Sequence, residues 1–291
     1  MQVVLHAGAH NTDDDRLIKC LLRNRDDFRQ RGIAVPGPSR YRRLIRDTLN
    51  AMSGSPLAPD ARMVLLDAIL DEDHPERLLL SNENFFSVPK LAVSKGVFYP
   101  RAELKLAQLS QIFDGDEVEL FLAIRNPASF LPAVHANSPE MSFDDFMAGA
   151  DPRDLRWSEL VRRIRDHVPG LQITVWCNED TPLIWAQIIR EMAALEHNQK
   201  ITGGFDLLSE IMTPAGMKRF RAYLKAYPNM NEIQKRRVIA AFLDKFAIEE
   251  EIEEELDLPG WTDDLVTELS DIYDDDVFEI GRIQGVTTIA P

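Results

Sequence analysis

A chain of 291 residues, 45% hydrophobic and 28% charged, is long enough for one large α/β domain or two small ones, with ample apolar material for a core. Its net charge of −15 argues against nucleic acid as a partner, because a phosphate backbone needs a basic face. No apolar run reaches bilayer length, and the opening Met1-Gln2-Val3-Val4-Leu5-His6 lacks the basic and long apolar regions of a signal peptide, so a cytoplasmic protein without a membrane partner is expected.

Val3-Val4-Leu5-His6-Ala7-Gly8 is a short apolar run ending in glycine, which predicts a buried strand and a turn. Asp13 to Arg31 has helical periodicity with Leu17, Cys20, Leu21 and Phe28 on one stripe, Asp13, Asp14 and Asp15 at its start, and Gly32 at its end. Helices are predicted over Tyr41–Met52, Ala61–Leu70 and Leu104–Phe113, with a strand at Arg77–Ser81. Val118 to Ile124 is the clearest strand, and it runs into Arg125 before Asn126-Pro127 stops it. A helix over Ala128–His135 and another over Leu155–His167 precede a strand at Leu171–Trp176, then a helix from Pro182 through Leu195. Near-continuously apolar strands alternating with helices predict an α/β three-layer sandwich around a central parallel sheet.

From 205 to 291 the pattern is mostly helical, including Ala215–Ala226, Glu232–Phe246 and Asp263–Tyr273. The whole chain, 1–291, is read as one domain with this helical C-terminal part, and Asn198–Gly204 is the one candidate linker. Charge is uneven. Arg16, Lys19, Arg23, Arg25, Arg29, Arg31, Arg40, Arg42, Arg43 and Arg46 make the first stretch basic, whereas acid concentrates at Glu249–Glu255 and Asp274–Asp276, expected to be solvated. Cys20 and Cys177 are expected as small buried hydrophobes, and no Cys-x-x-Cys pair exists for zinc.

Ligands of an open parallel sheet bind beyond its strands' carboxyl ends. Here those ends carry Gly8–Asp15, Ser81–Asn84, Arg125–Ser129 and Trp176–Asp180. The strand–loop–helix order at Val4 to Thr12 resembles the first motif of P-loop-type sulfotransferases, in which the loop cradles the 5′-phosphosulfate of the donor, 3′-phosphoadenosine 5′-phosphosulfate (PAPS). Leu122-Ala123-Ile124-Arg125-Asn126-Pro127 resembles that family's second motif, whose arginine holds the 3′-phosphate. Gly32-Ile33-Ala34-Val35-Pro36, Ser81-Asn82-Glu83 and the stretch from Trp261 to Pro291, with Tyr273 and a final short apolar strand, resemble features of bacterial members. The resemblance implies a P-loop-like nucleotide-binding fold, a donor site at Gly8, His10, Asn11, Thr12, Arg125 and Ser129, and Glu83 as the catalytic base.

The chain departs from that pattern where the donor's charge would sit. The family's loop lysine falls on Asn11, the following Gly-Thr-Thr on Asp13, Asp14 and Asp15, and the second-motif serine on Ala133, with Ser129 a nearer partial replacement. A phosphosulfate wants N–H donors, hydroxyls and a cation at a helix N-terminus. A carboxylate about 4 Å away repels it by roughly 4 kcal/mol at an effective dielectric of 20.

Several residues carry two readings. Arg125 binds a phosphate, or closes a strand against a loop carboxylate; Glu83 is a base, or a satisfied structural carboxylate. Asp13–Asp15 hold a cation with His10, or cap a helix, and capping is favoured because adjacent helical residues point apart, so no metal is expected. Arg40, Arg42, Arg43 and Arg46 face an anionic acceptor, or form a solvated face, which is favoured. Two functions follow from the resemblance. One is a sulfotransferase-like protein that has lost PAPS-dependent catalysis and serves as a binding or regulatory module without a firm cofactor. The other is an active, divergent enzyme that moves a sulfuryl group from PAPS to a carbohydrate-like acceptor.

Overall fold

The computed structural model describes residues 1–52, 54, 56–70, 74–197, 199–252, 258 and 260–291. Its elements in chain order are β1 (Gln2–His6), α1 (Arg16–Arg23), α2 (Arg25–Gln30), β2 (Ile33–Ala34), α3 (Pro38–Ala51), α4 (Ala61–Ile69) and β3 (Arg77–Ser81). A small hairpin follows, β4 (Val93–Ser94) with β5 (Val97–Phe98), then α5 (Ala102–Ile112), β6 (Glu117–Ile124), α6 (Pro127–Ala136), α7 (Phe143–Met147) and α8 (Trp157–His167). The last part comprises β7 (Gln172–Cys177), α9 (Thr181–Met192), α10 (Asp206–Ile211), α11 (Pro214–Ala226), α12 (Glu232–Phe246), α13 (Asp263–Ile280) and β8 (Val286–Thr288).

Six strands form one parallel sheet in the order β2-β3-β1-β6-β7-β8. β1 is interior: Val3 lies opposite Leu78 on one side and Val118 on the other. Side chains alternate between faces, and both faces are covered, which is why these strands look uniformly apolar in sequence. Val3, Leu5, Leu78, Leu80, Leu120, Leu122, Ile173 and Val175 pack with α3, α4, α5 and α8. Val4, Leu79, Phe121, Ala123 and Trp176 pack with α1, α2 and α9. The result is a three-layer sandwich. Leu208, Met212, Met217, Phe220 and Ile239 form a separate cluster within α10–α12.

The expected single helix Asp13–Arg31 is instead two, broken at Asn24. The Asn24 amide donates to the carbonyls of Cys20 and Thr202, and its oxygen accepts from the Thr202 N–H. Those bonds tie 199–204 to α1, so the described part of the candidate linker is anchored; Asn198 lies outside the described residues. The edge strand β2, the β4–β5 hairpin and α7 were not anticipated, and α13 runs seven residues beyond Tyr273, to Ile280.

Asp276 corrects the expectation of a solvated acidic tract. It is buried, and its carboxylate accepts from the N–H groups of Trp157 (2.6 Å) and Ser158 (3.2 Å), capping α8 from a different helix. Asp274 and Asp275 are exposed, as are Glu249–Glu251; Glu253–Glu255 lie outside the described residues. Cys20 is buried and Cys177 half-buried, and burial pushes their thiols up to about 12 and about 11, so both stay protonated and inert at neutral pH. Among the described residues, no helix is long and apolar enough to cross a membrane.

Candidate functional site

The carboxyl ends of β1, β3, β6 and β7 bring together the segments that the sequence singles out. After β1 the chain still runs along β6: the N–H of Ala7 bonds the Phe121 carbonyl and that of Ala9 the Ala123 carbonyl, both at 3.0 Å. It then turns sharply, with Asn11, Asp14 and Asp15 in the left-handed region. Asparagine and aspartate tolerate that region better than most residues, so three such residues in a short loop are a local cause of its shape. Gly8 is required for closeness: a Cβ there would stand 2.9 Å from both His6 Nε2 and Thr12 Oγ1.

Both histidines are buried. His6 stacks on Trp176, its Nδ1 lies 2.9 Å from Ser81 Oγ, and its buried Nε2 has no hydrogen-bond partner among the described residues. Burial lowers its pKa, with Asp13 and Asp15 opposing that shift. His10 is also buried. Its backbone N–H donates to the Tyr99 hydroxyl, its Nδ1 lies 2.8 Å from the same oxygen, and its Nε2 lies 3.4 Å from Asn84 Oδ1.

The three loop carboxylates are each engaged, and their roles differ. Asp13 alone caps α1: its carboxylate accepts from the Leu17 N–H, and its carbonyl accepts from the Arg16 N–H. Asp14 pairs with Arg16. Asp15 takes both terminal nitrogens of Arg42, whose Nε donates to the Ser81 carbonyl. That contact holds the Asp15 carboxyl below its ordinary pKa. It also corrects two expectations. Arg42 is not on a solvated face, because α3 passes over the end of β3 and delivers it to the loop. The loop does not carry three bare charges, because two are paired and the third caps α1.

Arg125 is buried at the end of β6. Its Nη1 donates to the Asn11 carbonyl (2.6 Å) and its Nε to Ser129 Oγ (3.0 Å), while its own carbonyl accepts from Trp157 Nε1 (2.9 Å). The Asn11 side-chain oxygen accepts from Asn137, which also reaches the Ala133 carbonyl. The structure therefore gathers Asn11, Arg125 and Ser129 around one point, with Gly8 and Thr12 on the inner side of the same loop. Glu83 lies half-buried beside the loop. Burial raises its carboxyl pKa, the charges of Asp13, Asp15 and Asp14 raise it further, and Arg42 opposes them.

Next to Arg125, Glu179 accepts from the Asn126 N–H (2.8 Å) and the Tyr273 hydroxyl (3.1 Å), and Asn126 also bonds Ser270. Burial raises the Glu179 carboxyl pKa despite these donors. Sequence reasoning flagged Trp176–Asp180 but not Glu179 itself, and it missed Tyr99, Asn137 and Trp157 as loop partners. No local pattern marks these, because each is brought in by a distant element.

An anion at this loop would need free N–H groups at the start of α1. At that start the N–H groups of Arg16 and Leu17 are taken by Asp13, and in the loop those of Ala9 and His10 have partners, whereas those of Gly8, Asn11, Thr12, Asp13, Asp14 and Asp15 form no hydrogen bond among the described residues. No protein-family model matches the chain, and no curated protein matches it.

Proposed function

We propose that this chain is a cytoplasmic, sulfotransferase-like protein, with a P-loop-like nucleotide-binding ancestry, that no longer takes PAPS and acts as a binding or regulatory module. The supporting observation is the loop after β1. Its carboxylates are engaged, and the Arg125 guanidinium, which in the family holds a phosphate, donates to the Asn11 carbonyl of the loop itself. An incoming phosphosulfate would have to displace these contacts and would meet carboxylates in place of a lysine and hydroxyls. Nucleic acid and membrane surfaces are not expected partners.

Glu83 favours the second reading, an active enzyme acting on a carbohydrate-like acceptor. A half-buried carboxyl with a raised pKa beside the loop is suited to accept a proton from an acceptor hydroxyl. The two readings part at the donor loop.

Restoring the loop tests the cause. The variant Asn11→Lys, Asp13→Gly, Asp14→Thr, Asp15→Thr adds a cation, removes three carboxylates and releases Arg42. It should gain affinity for the desulfated nucleotide, adenosine 3′,5′-bisphosphate, by at least tenfold over the unmodified protein, and the gain should shrink with added salt. A repaired protein that stays folded and still ignores the nucleotide would show that the loop is not the defect.

A further inference from the structure

The acidic character of the chain is not shared by its C-terminal helical pair. Residues 214–246, which contain α11 and α12, hold eight basic residues and two acidic ones, a net charge of +6 that leaves −21 on the rest. Little of this charge is met by carboxylates, although Arg219 and Lys245 lie over the Phe246 ring and Arg221 donates to Ser209. Lys235 pairs with Glu232, and Arg236 bonds Gln187 and the Ala290 carbonyl. None of Lys218, Arg219, Arg221, Lys225, Arg237 or Lys245 forms an ion pair among the described residues, and all six are exposed. Large apolar groups stand among them: Tyr227 is 55% exposed, Ile233 59% and Tyr223 39%, with the two tyrosine rings 4.7 Å apart. Exposed apolar groups on the same helical pair as cations without carboxylate partners are unusual for a solvated face and typical of a contact surface.

The complementary surface is on the same chain. α13 holds eight acidic residues and no basic one. Asp276 is spent on α8, while Glu268 and Glu279 pair with arginines. Asp271, Asp274 and Asp275 are exposed and form no ion pair among the described residues. They lie on one stripe that ends at Phe278, which is 66% exposed with Arg282 over its ring. Lys218, Arg221 and Lys225 repeat at i, i+3, i+7, as do Asp271, Asp274 and Phe278, so both stripes run about 10 Å along a helix. The two stripes are opposite in sign and similar in length.

We infer that the α11–α12 face docks on α13 of a second copy of this chain. The −21 remainder disfavours a nucleic acid or an anionic membrane, each of which would meet that charge over a wide area. A second copy presents a local acidic stripe, and screening over about 8 Å at physiological salt confines the interaction to the patch. Because each copy carries both surfaces, two can pair reciprocally and close a dimer. Nothing here depends on whether the donor loop binds a nucleotide.

Sedimentation equilibrium of the full chain provides the test. At low salt the average mass should rise with concentration toward two chains, and it should fall back to one chain at about 1 M salt, where screening acts over ~3 Å. Lys218→Glu/Arg221→Glu/Lys225→Glu alone, and Asp271→Lys/Asp274→Lys/Asp275→Lys alone, should each raise the dissociation constant at least tenfold; the two variants mixed should form a heterodimer. The milder Lys218→Gln/Arg221→Gln/Lys225→Gln should also weaken the dimer and serves if either reversal fails to fold. A chain that stays monomeric at low salt, a dimer indifferent to these substitutions, or folded variants that do not pair when mixed would overturn the proposal.

Discussion

Replacing Trp157 with alanine should destabilise the protein by about 3–5 kcal/mol, the range for a fully buried tryptophan. Its ring stacks on Phe98 at 4.0 Å and meets Phe130 edge-on at 5.0 Å, with no exposed surface. Its N–H donates to the Arg125 carbonyl, and its backbone N–H is held by Asp276. One side chain thus joins the aromatic core, the start of α8 and the end of β6. Trp157→Phe keeps most of the packing and leaves the Arg125 carbonyl without that donor, so it should cost only about 1–3 kcal/mol. Denaturant melts of both variants measure the difference. Equal losses would mean that the link to Arg125 rather than packing sets the cost, and a loss under 1 kcal/mol for the alanine variant would refute the burial.

The second large effect is acid lability from His10. Burial holds its pKa down to about 4, against the ordinary 6.5, although Asn84 and the Ser87 backbone oppose that shift. The unfolded chain therefore binds a proton between pH 6.5 and about 4 that the folded chain refuses. Folding stability falls as pH drops through this window, by about 3 kcal/mol in all, and the loss is complete below about pH 4. His6 contributes with the same sign, because its pKa is also lowered by burial. Glu83, Glu179 and Asp180 act in the opposite direction: their raised values make the folded state hold protons more tightly, so acidification relieves a cost at each. Comparison with His10→Gln, whose amide can still meet Tyr99 and Asn84, isolates the histidine. The variant should lose less stability between pH 6.5 and 4 than the unmodified protein; identical pH profiles would mean that His10 does not titrate as its burial requires.

The central strands were legible because burial on both faces leaves an apolar run whatever else varies. Val3–His6, Arg77–Ser81, Val118–Ile124 and Gln172–Trp176 all carry it. Edge elements were not. Ile33–Ala34 is too short to show a period, and the β4–β5 hairpin turns on Lys95 and Gly96, both at positive φ, with only the glycine as a local cue. The break at Asn24 depends on Thr202, far along the chain, and lies beyond any helical pattern.

The candidate site divides in the same way. The segments at the strand ends follow from the order of strands and loops, and Asn11, Arg125 and Ser129 do meet. Their state does not follow. Three adjacent aspartates read as three like charges, yet one caps α1 and two meet arginines. Asp15 finds Arg42 only because α3 crosses the end of β3. Tyr99 and Trp157 enter from the hairpin and from α8, so the internal closure of the loop is a tertiary property.

Calorimetric titration of the unmodified full chain with adenosine 3′,5′-bisphosphate at neutral pH and low salt tests the central claim most directly, because that nucleotide needs the Arg125 guanidinium that the protein already uses on its own loop and would meet the loop's carboxylates. No binding heat up to about 1 mM nucleotide is the predicted result. A dissociation constant of about 10 μM or tighter would contradict it, showing that the loop opens for a donor and moving the assignment to the active enzyme.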